Sequence, residues 1–197
     1  VLGEIRKAVG DSFPVAIKLN SADFQRGGFS EADSMRVLAM LQEDGIDLVE
    51  ISGGSYESRV MLEKVDNQRE AFFLEYAKKA RAAVDIPMMV TGGFRARSIM
   101  EHALASGALD VIGMARPFTN NPHVARDLLD KRTERAADPP VMPGLGLLGG
   151  TSEAMMSVAQ MALLAKGKSP MLRFGGLRAV LESLVQESAD LLRPKRP

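Results

Sequence analysis

The sequence predicts an α/β fold built from four successive βα units, half the complement of a TIM (β/α)8 barrel. Three observations carry that prediction. Four short apolar runs, Pro14 to Leu19, Asp47 to Ser52, Pro87 to Thr91 and Asp110 to Met114, read as buried strands. Amphipathic helical stretches lie between them, and strand, helix, strand, helix repeated four times calls for a parallel sheet. The repeat also opens in mid-pattern, since Val1 to Gly10 reads as a helix ahead of the first strand.

Taken in order, the first strand PVAIKL leads into a helix over Glu31 to Asp44, where Met35, Leu38 and Leu41 recur at helical spacing. Ser30 with Asp33 gives a capping-box start, and Gly45 a stop. The second strand, DLVEIS, is followed by a long connection from Ser55 to Asn67, of the kind that covers a site in such folds. Gln68 to Val84 is a helix with Phe72, Phe73, Tyr76, Ala80 and Ala83 along one face. After the third strand, a shorter helix around Ser98 to Ser106 stops at Gly107. Beyond the fourth strand, Asn121-Pro122 reads as an N-cap with Pro at the first helical position.

The character changes after residue 132. Ala136 to Gly150 is rich in Pro and Gly and reads as loop; helical stretches follow at Ser152 to Lys166 and Gly176 to Leu192, and Arg193 to Pro197 is a solvated end. Met155, Met156 and Met161 in the first of these helices serve core packing or a partner helix. The expected organisation is therefore a half barrel over 1–132, a loop over 133–150 and a helical extension over 151–197.

Composition narrows the function. Lys+Arg and Asp+Glu are equal at 25 each, so no net basic field advertises nucleic acid or an anionic membrane. Cys is absent, which excludes a thiol nucleophile, a disulfide framework and thiolate metal sites and fits a reducing cytoplasm. There is no run with the length and apolarity of a membrane span, and the first residue, Val1 rather than Met, suggests a processed, cut or partly represented chain. The histidines, His102 and His123, fall on helices away from the strand ends and read as structural or surface residues. The expected partner is a small molecule.

Barrel enzymes place their chemistry at the carboxyl ends of the strands. Lys18, two residues before Asn20, points by alternation into the barrel mouth or else to the surface, with Glu50 on the next strand a candidate partner. Ser52-Gly53-Gly54 permits close backbone approach by a ligand or an unusual turn. Thr91-Gly92-Gly93-Phe94 and Gly113-Met114-Ala115-Arg116 end consecutive strands, a place where barrels hold phosphate on backbone N–H groups. Arg116 adds a permanently charged, bidentate donor, and is preferred over Arg95 and Arg97 for that role.

These motifs together resemble one family. Val15-Ala-Ile-Lys-Leu-Asn20 with Asp23-Phe-Gln-Arg-Gly-Gly28, Asp47-Leu-Val-Glu-Ile-Ser-Gly-Gly54, Val90-Thr-Gly-Gly-Phe94 and Asp110-Val-Ile-Gly-Met-Ala-Arg-Pro-Phe118 are similar, in order and spacing, to the Old Yellow Enzyme family of NADH:flavin oxidoreductases. The likeness covers about residues 1 to 170 and is to the C-terminal half of the family barrel, strands five to eight. It implies FMN as cofactor, NADH or NADPH as reductant and an electron-poor acceptor such as an α,β-unsaturated carbonyl. It implies that Lys18 lies beside the flavin N1 and O2 atoms, where its charge favours the reduced ring, making it the candidate catalytic residue. The cofactor-binding set it implies is Lys18, Ser52, Gly53, Gly92, Gly93, Phe94, Gly113, Ala115 and Arg116, with no metal.

The family's proton donor and its carbonyl-holding pair belong to the amino-terminal half. Neither Tyr56 nor Tyr76 matches them by position. The chain is accordingly expected to be a flavin-site fragment with little turnover of its own. Two alternatives stand beside that reading. One is another FMN barrel of the dihydroorotate dehydrogenase or tRNA dihydrouridine synthase type, and the other a non-catalytic half barrel that self-associates as a homo-oligomer.

Overall fold

A computed structural model describes residues 1–23, 26–53, 73–138 and 149–170. The described residues fall into two compact units, the first ending at Ala115 and the second opening at Arg116.

The first unit holds α1 (Leu2–Val9), β1 (Ala16–Asn20), α2 (Glu31–Glu43), β2 (Leu48–Ser52), α3 (Leu74–Ala83), β3 (Met88–Thr91), α4 (Arg97–Ala105) and β4 (Val111–Gly113). The strands form one parallel sheet in the order β1-β2-β3-β4. This is the α/β half barrel that the alternation of elements predicts.

The register sorts the side chains. Lys18 pairs with Glu50, Asn20 with Ser52, Glu50 with Met89, and Thr91 with Gly113. Because successive residues of a strand point to opposite faces, one face carries Ile17, Leu19, Val49, Ile51, Met88, Val90 and Ile112. Val49, Ile51, Met88 and Val90 are buried there, as are Leu38 and Leu41 of α2, Tyr76, Ala77 and Ala80 of α3, and Met100 and Ala103 of α4. Full burial of each such aliphatic side chain contributes roughly 1.5–3 kcal/mol, which is why the helices hold to the sheet. The opposite face carries Lys18, Asn20, Leu48, Glu50, Ser52, Met89, Thr91, Val111 and Gly113. Val111 on this face is 42% exposed.

Local chemistry fixes the ends of these elements. At the start of α2 the Ser30 hydroxyl accepts from Asp33 N at 3.2 Å and the Asp33 carboxylate accepts from Ser30 N at 3.1 Å, closing the capping box. Gly45 follows the helix with φ 72°, a backbone region that suits glycine. At the amino end of the sheet one device occurs twice. Asp47, just before β2, donates its N–H to Val15 O and accepts Val15 N on its carboxylate at 2.6 Å. Asp110, just before β4, does the same to Met88. Each carboxylate is in turn held by an arginine, Arg6 of α1 for Asp47 at 2.7 Å and Arg81 of α3 for Asp110. α1 buries no residue, and Arg6 ties it to Phe13 O, Gly45 O and Asp47.

The second unit contains α5 (Arg116–Asn120), α6 (Val124–Leu129) and α7 (Gly149–Ala165). The structure differs from expectation here in two respects. α5 is a short helix that the sequence pattern does not announce. α6 begins at Val124, not at Pro122, because Asn121 closes a turn first: its side-chain oxygen accepts His123 N at 2.9 Å and its amide donates to Asp127 at 2.7 Å. In α7, Met156 is buried and Met161 half exposed, so the methionines divide between core and surface. The expected helix over 176–192, the connection over 55–67, the Pro/Gly-rich segment from 139 to 148 and the terminal tail lie outside the described residues. Among the described residues no helix is long and apolar enough to cross a membrane.

Candidate functional site

The parallel order brings the carboxyl ends of all four strands to one side of the sheet. Asn20, Ser52-Gly53, Thr91-Gly92-Gly93 and Gly113-Met114-Ala115 therefore form one row, entirely within the first unit. This is the side on which barrel folds keep their ligands.

Lys18 lies two residues before the end of β1, and its Nζ is 3.0 Å from Glu50 Oε1. The lysine side chain is 57% exposed and Glu50 25%, so the pair stays wet and the lysine stem is free to reach along the strand end. The pairing expected from the sequence is thus present, set by the Lys18–Glu50 register. Ser52 and Gly53 are buried at the end of β2. The Ser52 hydroxyl donates to Asn20 Oδ1 at 3.2 Å, and Ser52 O accepts Ser21 N at 2.6 Å.

At the end of β3, Gly92 and Gly93 both have positive φ, 122° and 83°. These are values that L side chains rarely adopt, and a Cβ on Gly92 would also press on the Phe73 ring at 3.3 Å. The double glycine therefore carries no side chain of its own, and the Phe73 ring packs on the Cβ side of Gly92. Phe94 is wholly buried, backbone and ring alike, and packs beneath the turn. Gly113 is glycine for another reason: a Cβ there would overlap Thr91 Oγ1 and sit 2.7 Å from Met89 Cε. Its part in the row is to let β3 and β4 close up, and Thr91 Oγ1 is buried beneath it without a hydrogen-bond partner. Ala115, exposed, closes the row.

The three arginines take different places. Arg95 follows the glycine turn and is only 3% exposed, donating to Phe94 O at 2.8 Å. Arg97 opens α4 and pairs with Glu101 at 2.6 Å. No side chain caps α4, whose first turn has no acidic residue, an end that tolerates an anion. Arg116 is the first residue of α5 in the second unit, where its carbonyl accepts from Thr119 Oγ1. Sequence reasoning does not show that, of the three arginines, Arg95 folds inward, since spacing alone carries no such signal. It also passed over Asn20, which the shared register of Lys18–Glu50 would have placed opposite Ser52. Both histidines are exposed, and no group of three His, Cys, Asp or Glu among the described residues is placed to hold a metal.

A four-stranded parallel half barrel with its small-residue strand ends on one side has the framework of a barrel enzyme, and the comparisons with known proteins say which family. Residues 1–135 match the NADH:flavin oxidoreductase / NADH oxidase family, and the chain belongs to it. Among its relatives, the NADH-dependent flavin oxidoreductase iliE of Hypocrea jecorina is 31% identical over 149 residues, covering 70% of this chain and 36% of that protein. The NADH-dependent flavin oxidoreductase nadA of Aspergillus parasiticus is 36% identical over 138 residues, covering 64% and 30%. Of solved structures, a 2-naphthoyl-CoA reductase in complex with 2-naphthoyl-CoA superposes with a TM-score of 0.63 at 26% identity, covering 68% of this chain and 21% of that one. The chain thus spans little more than a third, at most, of the relatives compared.

Proposed function

We propose that this chain supplies the FMN-holding half of an oxidoreductase that takes electrons from NADH or NADPH and delivers them to an electron-poor acceptor, such as an α,β-unsaturated carbonyl. One observation carries the reading: the four strand ends form a single row that holds the double glycine after β3 and, two residues inside the end of β1, a cation, Lys18. A flat, anionic cofactor with a phosphate tail fits that donor set. Family membership supports the same choice over other FMN barrels.

FMN, when bound, supplies the two-electron chemistry, and the protein supplies position and electrostatics. Lys18 offers a positive charge at the end of β1, which favours negative charge building on a neighbouring ring during reduction. Glu50 orients the ammonium and tempers its charge. Gly92 and Gly93 leave room for phosphate oxygens to approach the main chain, with Arg95 and Arg97 on the segment that follows. Ser52, Gly53 and Ala115 keep the intervening strand ends small. Gly113 allows the close approach of β3.

Titration of FMN with the 197-residue chain tests this directly. The expected result is saturable quenching of flavin fluorescence, about tenfold weaker for Lys18→Ala through loss of one charged contact. NAD(P)H-dependent enone reduction by the chain alone is expected to be negligible. A flavin spectrum that the protein leaves unchanged overturns the reading, and brisk turnover overturns its restriction to half a site.

A further inference from the structure

A chain of hydrogen bonds runs from the helical layer to the strand ends. The Tyr76 hydroxyl on α3 donates to Ser34 Oγ on α2 at 2.6 Å, and Ser34 Oγ donates to Asn20 O at the end of β1 at 2.8 Å. The Asn20 side chain bonds at both of its polar atoms: its Nδ2 donates to Asp23 Oδ1 at 3.0 Å, and its Oδ1 accepts from Ser52 Oγ at 3.2 Å. The other Asp23 oxygen is taken by Phe29 N at 3.0 Å.

Each of these hydrogen bonds has its direction fixed. A carbonyl oxygen only accepts, so Ser34 must donate to Asn20 O and can only accept from Tyr76. A carboxylate only accepts, so Asp23 turns the Asn20 amide with its NH2 outward. The amide oxygen is thereby left for Ser52, which has to donate, and the lone pairs of the Ser52 oxygen are what remain for a ligand. Tyr76, Ser34 and Ser52 are 6%, 0% and 5% exposed, so water does not compete for these bonds.

We infer that Tyr76 and Ser34 are positioning residues for the cofactor site: through the Asn20 carbonyl they set the place of the β1 and β2 ends, while Asp23, through the Asn20 amide, sets the polarity of Ser52. Neither helix residue belongs to the row of strand ends; both act through Asn20. The inference rests on the proposed FMN site for its consequence in binding, but its geometry stands without it.

Tyr76→Phe keeps the ring and deletes only the first donor; Ser34→Ala removes the second link and serves if the first variant folds poorly. Amide hydrogen exchange in the full chain reads the geometry. The Ser21 amide, bonded to Ser52 O, is expected to exchange about five- to tenfold faster in either variant, the loss of one modest hydrogen bond. The amides of Asp47 and Asp110 at the far end of the sheet are expected to hold their rates. In the same variants FMN binds about three- to tenfold more weakly. Equal acceleration at both ends of the sheet shows a general loss of stability and overturns the positioning role, as does an unchanged Ser21 rate. Unchanged FMN affinity, where the parent chain binds FMN, overturns the link to the site. If the parent chain takes up no FMN, the functional reading fails, and the exchange pattern alone decides the positioning role.

Discussion

Thr91 and Gly113 show how far a single pair of residues sets the spacing of two strands. The Thr91 hydroxyl fills the place where a side chain on residue 113 would begin, and it does so without a hydrogen-bond partner. Gly113→Ala is therefore expected to destabilise the fold by about 1–3 kcal/mol in urea unfolding, the usual penalty for overpacking. Thr91→Val keeps the shape and removes a buried hydroxyl that is not bonded, so the same measurement is expected to show no loss, or a gain of about 1 kcal/mol. A destabilised Thr91→Val would mean that the hydroxyl has a partner after all. Reading the sequence, both glycines of Thr91-Gly92-Gly93 and Gly113 look alike. Only coordinates separate them, because Gly92 and Gly93 answer to backbone angle and Gly113 to a neighbour distant in sequence.

Elements were more legible than contacts. The four strands and the helices between them follow from apolar periodicity, and the α2 start follows from the local Ser30/Asp33 box. What periodicity misses is set by tertiary pairing or by turn chemistry: β1 runs on to Asn20, α5 forms, and Asn121 delays α6. At the site, Lys18 with Glu50 was readable from equal spacing along adjoining strands, whereas the inward turn of Arg95 was not. The joint between β1 and β2 yields a prediction at this scale. Hydrogen bonds from Arg6 first, and from Val15 N second, hold the Asp47 carboxyl below the usual carboxylate range. A carboxyl depressed in the folded chain stabilises it above the ordinary pKa, and that stabilisation is lost as pH falls through the folded value. Stability is thus expected to drop below about pH 4 as Asp47 protonates. Asp47→Asn is expected to be less stable at neutral pH and to show a shallower decline in acid, as thermal unfolding across that range would reveal.

At the scale of the whole molecule, the first unit is a sheet bordered, among the described residues, by β1 and β4. A partly exposed Val111 on the second of these borders adds apolar surface to unpaired peptide groups. Such borders recruit other strands, so the purified chain is expected to self-associate as concentration rises. Sedimentation velocity over a wide concentration range checks this, with Val111→Lys expected to shift the distribution towards monomer. A wild-type chain that sediments as monomer throughout would contradict it.

The repeated aspartate device gives the sheet a grain. β1 is fastened to β2, and β3 to β4, by ionised clasps backed by arginine, whereas across the middle the amide of Gln42 reaches Asp85 N at 2.6 Å and Val49 N reaches Pro87 O. An exposed ion pair, Lys79 with Glu31 at 2.8 Å, adds a charged link between α3 and α2 there. Brine screens the partly exposed ionised links and spares the amide bonds, so the two quarter-barrels would part in a different order than in dilute buffer.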